Sequence, residues 1–194
     1  MIQHLPAGVD VVALNVAVVN EATRTARTSE YIYSLEQVKV SADRLHISTP
    51  ELTLSGDRHG CAVSFHGEHA QIDISTTAAA PPLLFNGEGQ IVFLGVNEQY
   101  DYAFPAMPTT GTVVLDSVTY QVTGASWLDR QWGGLPSFFA DPSADSVQAA
   151  NSMNWIWSNP QLDNGVNVAL AQVRDMRHIP RAAGIRLRLP RTRR

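Results

Sequence analysis

The chain has 194 residues, is 44% hydrophobic and only 16% charged, enough apolar material for one real core and too little charge for a disordered chain. Residues 1–176 hold 7 basic against 18 acidic residues, and the other 7 basic residues, all arginine, follow Asp175. An acidic body of this kind is a poor partner for nucleic acid or anionic lipid.

The opening apolar run, Val11 to Val19, is short, broken by Asn15 and preceded by no basic segment. It is expected to be a buried strand, with no signal peptide and no stable membrane insertion; the cytoplasm is the default compartment. A second strand is expected from Tyr31 to Val40. "ELTLSG" and "QIDIS" alternate, with Leu52 and Leu54, then Ile72 and Ile74, each sharing one face. Alternation of period two marks half-buried antiparallel strands. Further strands are expected at Cys61 to Phe65, Gln90 to Val96, Gly111 to Leu115, "TYQVTG", Ser126 to Arg130, Asn154 to Ser158 and Val166 to Arg174. Turn signals separate them: "SGDRHG", "NGEG", "LDS" and "LDNG". "TTAAAPP" reads as a loop, because its prolines exclude a central strand. A short helix is expected within Ser143 to Ala150. The fold class that follows is all-β, an antiparallel barrel or sandwich with little helix.

After Asp175 the pattern changes. "RHIPRAAGIRLRLPRTRR" has no acid, seven arginines and two prolines. It reads as a basic, disordered tail over 177–194, either a true acidic-partner binder or the product of a reading-frame slip in GC-rich DNA. The domain expected is therefore 1–176.

Chemistry concentrates in "GASWLDRQWGG", residues 124–134. On a strand, Trp127, Asp129 and Gln131 face one way and Leu128, Arg130 and Trp132 the other. "NWIWSN" places Trp155 and Trp157 together on one face of another strand. If both faces look into one barrel, indoles and a single acid line its lumen, which describes a small-molecule site. A desolvated Asp129 would stay neutral to higher pH and could protonate an alkene, with indole faces steadying the cation. The plain alternative is that Asp129 pairs with Arg130 or Arg174 and the tryptophans fill a core. Other candidates point elsewhere: Cys61 reads as a buried small hydrophobe, His66 and His69 as surface histidines rather than metal ligands, and Ser126 lacks the GxSxG context. No metal and no cofactor is expected.

"NGEGQIVFLGVNEQYDYAFPAMPTTGTVVLDSVTYQVTGASWLDRQWG" and "NWIWSNPQLDNGVNVALAQVRD" resemble, in order and spacing, the AttH and carotenoid 1,2-hydratase family, the lipocalin-like hydroxyneurosporene synthase group. The carriers are the "NGEG" hairpin, the Tyr100 and Tyr102 pair, the "TGTVVLD" strand, the "WLDRQWG" box and the Trp-rich strand with its L-x-x-G hairpin. The resemblance runs from about Val11 to Asp175. It implies two lipocalin-like barrels in tandem with a ligand site near their interface, and a chain that is a truncated copy, the incomplete N-terminal part. Some members hydrate an isoprenoid double bond, and fungal relatives are pericyclases acting on polyketide-derived chains. Asp129 matches the aspartate implicated in hydration. Arg130 and Gln131 stand where the hydratases tend to carry histidine. The expected partner is a hydrophobic small molecule, isoprenoid or polyketide-like. Asp129 is the candidate catalytic acid, and Trp127, Gln131, Trp155, Trp157, Tyr102 and Arg130 are candidate ligand contacts. The rival expectations are a non-catalytic or pericyclase-like binding barrel and an inactive fragment.

Overall fold

The structure is a computed structural model that describes residues 2–4, 10–93, 96–133, 153–175 and 185–188, with side chains for 11–91, 99–133 and 156–171. The described residues are antiparallel strands joined by turns; two 3-10 turns, Leu35–Gln37 and Phe85–Gly87, are their only helical segments. The all-β class is therefore as the alternation predicts. The chain divides into two compact units, residues 1–79 with 107–126, and residues 80–106 with 127–194. The helix expected within Ser143 to Ala150 lies outside the described residues.

In the first unit β1 (Ile2–His4), β2 (Asp10–Asn20) and β3 (Thr25–Ser34) form a three-stranded sheet in that order. The β2–β3 ladder runs from Val11 opposite Ser34 to Asn20 opposite Thr25. Leu14, Val16 and Val18 turn inward and Asn15 outward, so the asparagine that interrupts the apolar run is a solvent-facing strand residue. The strand expected from Tyr31 to Val40 begins earlier and ends at Ser34, where the chain enters a 3-10 turn. The Ser34 backbone N–H donates to Gln37 Oε1 at 3.1 Å, closing the "SLEQ" capping box.

A meander follows: β4 (Lys39–Val40), β5 (Leu45–Ser48), β6 (Leu52–Asp57), β7 (Gly60–His66) and β8 (Ala70–Thr76), each paired with the next. β8 then pairs with residues 109–115 of the long strand β11 (Val96–Leu115). Phe65, Ala70 and Leu115 are buried at the centre, with Leu14, Val16, Val18, Tyr31, Leu52 and Ile72 packed on them. Tyr33 is buried and donates its hydroxyl to Glu51. Burial, and then that hydrogen bond, push the phenol up to about 12.

Leu115 to Val118 is a two-residue hairpin between β11 and β12 (Val118–Gly133). Asp116 and Ser117 both take positive φ, 48° and 65°, the backbone that matches the twist of a tight hairpin. Asp116 also accepts from Arg27 at 2.9 Å. The "LDS" signal is thus a true turn. "TYQVTG" and Ser126 to Arg130, expected as two strands, are one continuous strand, because Gly124 sits in open space and nothing forces a break there.

The second unit takes β9 (Leu83–Leu84), β10 (Gln90–Phe93), residues 96–106 of β11, residues 127–133 of β12, and a three-stranded sheet of β13 (Met153–Ser158), β14 (Val168–Asp175) and β15 (Ile185–Arg188). β9 and β10 both pair with β11, Leu84 opposite Tyr102 and Gln90 opposite Tyr100. The "NGEG" stretch is therefore not a hairpin between neighbouring strands. It is a tight reversal in which Asn86, Gly87 and Gly89 take positive φ and the Gly89 N–H donates to Phe85 O at 2.8 Å. The core is Leu83, Phe85, Ala103 and Ala169, with Ile91 and Trp127 against it. The "LDNG" turn closes β13 onto β14 as expected: Gly165 N–H donates to Leu162 O at 2.9 Å and Val166 N–H to Asn164 Oδ1 at 3.1 Å.

Two expectations change. Residues 97–110 were not expected as strand; β11 nevertheless passes through them and past Pro105 and Pro108, with Ala106 at a φ of 50° absorbing the irregularity between the prolines. The region 177–194, read as structureless, contains β15, whose Ile185 to Arg188 pair with Ala171 to Val168 of β14.

Candidate functional site

The site is assembled by the facing parts of β11 and β12 in the second unit. Period-two alternation gives these strands two faces, and the contacts follow it. One face carries an aromatic ladder. Tyr100 stacks on Trp132 with ring centroids 5.4 Å apart and planes 18° from parallel. Tyr102 meets Trp132 edge-on at 5.7 Å and Phe104 at 5.8 Å. The Arg130 guanidinium lies 5.2 Å from the Trp132 ring centroid, a cation–π contact at an exposed site. Tyr100 and Trp132 are 38% and 45% exposed.

The other face carries the acids. Ala103, fully buried, joins the core there. Trp127 packs on the same core and meets Trp157 of β13 edge-on, ring centroids 6.1 Å apart and planes at 84°. Asp129 follows Trp127 by two residues and lies within hydrogen-bonding reach of Asp101 on β11. Asp101 is fixed at its backbone: its N–H donates to Gly89 O at 2.8 Å. The "NGEG" reversal thus positions an acid rather than cradling a phosphate.

The electrostatics of the two carboxyls differ. Burial, then the facing charge of Asp129, then the hydrogen bond with it, push Asp101 from 3.8 up to about 8. Asp129 is also raised, by partial burial, but three contacts oppose this by favouring its charged form: Asp101, the Arg130 backbone N–H and the Trp127 indole N–H. Asp129 keeps an exposed side chain, more open to water than its position between two tryptophans suggests. Trp127 Nε1 stands close enough to act on Asp129, yet it makes no hydrogen bond of ordinary geometry among the described residues; Asp101 Oδ1 is likewise buried and unpartnered.

Of the residues singled out in the sequence, Asp129, Trp127 and Trp157 come together. Tyr102 and Arg130 belong to the opposite face, gathered on Trp132, which the sequence reading left out of the ligand set. Gln131 is exposed. Trp155 is placed by its backbone opposite Val173, its side chain outside the described set, as is that of Arg174. Asp101 was missed. Its signal was present: in "YDY" alternation turns it away from the tyrosines, onto the face that Ala103 shares.

The remaining candidates belong to the first unit. His66 Nε2 is 2.9 Å from Asp73 Oδ2, and Ser64 Oγ donates to Asp73 Oδ1 at 2.6 Å, with His66 and Asp73 exposed. Among the described residues no three His, Cys, Asp or Glu side chains group as a metal site, and no helix is long and apolar enough to cross a membrane.

Comparison with known proteins fits this architecture. No curated protein matches the sequence. Among solved structures the chain is similar to an AttH protein from Nitrosomonas europaea, with a TM-score of 0.70 and 18% identity over 89% of this chain and 51% of that one. It is also similar to kievitone hydratase from Nectria haematococca, with a TM-score of 0.66 and 15% identity over 95% of this chain and 57% of that one. The chain spans about half the length of these structures, and the likeness shows the lipocalin-like fold. The AttH-like family matches residues 8–190, past Asp175 and across β15. The chain belongs to the AttH-like family.

Proposed function

We propose that this protein acts on a hydrophobic small molecule, an isoprenoid or polyketide-like alkene, and adds water to it by acid catalysis at Asp129. The observation that carries the reading is a carboxyl group whose pKa partial burial raises, set beside the perpendicular indoles of Trp127 and Trp157. One structure of similar fold is, by name, a hydratase, which supports the reaction class.

The step follows from those groups. The alkene π pair takes the proton from the carboxyl and forms a C–H bond, leaving a cation on the more substituted carbon. Indole faces are negative and favour that cation. A water oxygen forms the C–O bond and its proton returns to the carboxyl, so nothing is consumed but water and alkene. Tyr102 and Arg130, on the far face of the hairpin, support the ladder around Trp132 and take no part in this step.

The exposure of Asp129 favours a second reading, a binding or pericyclase-like barrel in which the carboxyl only orients ligand. Asp129→Asn separates the two. Under acid catalysis, binding survives and turnover falls roughly a hundredfold or more, the scale of losing a general acid. An active protein indifferent to the substitution removes Asp129 from the chemistry.

A further inference from the structure

Asp101 raises a question of hydrogen-bond accounting. Its Oδ1 is sealed from solvent and meets no donor among the described residues, while the side chain within hydrogen-bonding reach of it is another carboxyl. An ionised carboxylate only accepts hydrogen bonds, and two ionised carboxylates facing each other repel. The arrangement is satisfied when one proton lies between them, a neutral carboxyl donating to its ionised neighbour.

The surroundings decide which group keeps that proton. Asp129 has an exposed face, the Arg130 backbone N–H and the Trp127 indole N–H, each favouring charge. Asp101 has a sealed oxygen and a backbone clamped to Gly89. No titratable side chain among the described residues, other than its partner, bears on either carboxyl.

We propose that Asp101 and Asp129 hold a single proton between them at neutral pH, stored on Asp101 and passed outward through Asp129. This rests on the reading of Asp129 as the acid and divides its task between two residues. Asp101 does not touch the ligand; it is a positioning residue that keeps a proton available behind an exposed carboxyl. The stored proton crosses from Asp101 to Asp129 and passes from there to the alkene carbon, so it is itself the proton donated. Both groups are then charged, opposite the new cation. The proton released by the adding water restores the pair.

The test needs no ligand. In protein carrying carbon-13 in its aspartate side chains, carboxyl titrations are followed by NMR. One aspartate of the wild type is expected to titrate near 8. That signal should vanish in Asp101→Asn. In Asp129→Asn it should move downward, since the facing charge is gone. The proposal is overturned if no wild-type aspartate titrates above about pH 6, or if the high titration persists in Asp101→Asn. Should Asp101→Asn fail to fold, the wild type and Asp129→Asn decide. Titrations as expected, with no alkene hydrated, uphold the pair and overturn only the hydratase reading.

Discussion

Replacing Asp101 by asparagine should flatten the protein's pH dependence in a defined window. Folding moves this carboxyl from 3.8 to about 8, so between those values the folded state binds a proton that the unfolded chain releases. Stability from a raised group is fully present below the unfolded value and is lost as pH climbs through the folded one. The full shift corresponds to about 6 kcal/mol at 1.36 kcal/mol per unit. Asp101 is only partly buried and its field is screened by solvent, which reduces the effect to roughly 2–3 kcal/mol. Urea unfolding of wild type and Asp101→Asn at about pH 5 and about pH 9 measures it. Asparagine keeps the shape and cannot titrate, so the stability difference between the two proteins should change by that amount across the window. Using the difference cancels Asp73 and Asp43, whose lowered values act in the opposite direction at the acid end. A difference that is the same at both pH values would refute the argument that burial against Asp129 raises this group.

Phe65, 1% exposed at the centre of the first unit, should cost about 3–5 kcal/mol when cut to alanine, read by the same unfolding curves. Arg27→Ala removes an exposed ion pair with Asp116 and should change stability by less than about 1 kcal/mol. Because Trp127 and Trp157 touch, an isoprenoid that binds beside Asp129 should shift tryptophan emission, and Trp157→Phe should diminish the shift; an unchanged spectrum at saturation argues against ligand at this place. Deleting residues 177–194 removes β15 and bares an edge of β14, so the melting temperature should fall; an unchanged melt would show that β15 contributes nothing to the fold.

How much of this was readable beforehand depended on the kind of signal. Strands with one apolar face announced themselves: "ELTLSG" and "QIDIS" turn Leu52 and Ile72 onto the cluster around Phe65. The first half of β3, "TARTSE", did not, because a polar strand is fixed by its ladder to β2 rather than by its own side chains. The middle of β11 was not read as strand; it runs past Pro105 and Pro108 with a positive φ at Ala106 between them. The two faces of the "WLDRQW" stretch were legible from alternation alone. The partner of Asp129 was not. Pairing with Arg130 or Arg174 was the expectation that charge suggests, but adjacent residues on a strand point apart, and Arg130 lies over Trp132 instead. Finding Asp101 required knowing that β11 and β12 are neighbours.

The lone thiol offers an experimental handle. Cys61 is buried on β7; its backbone N–H donates to Thr76 Oγ1 at 3.1 Å, that hydroxyl donates to Cys61 O at 3.1 Å, and Sγ lies 3.2 Å from the same oxygen. An alkylating reagent can reach it only when β7 and β8 part. With one cysteine in the chain, the labelling rate reports a single event. When reclosing outpaces labelling, that rate reads the opening equilibrium of this strand pair, and comparison with global unfolding tells whether the meander gives way by itself or only with the rest.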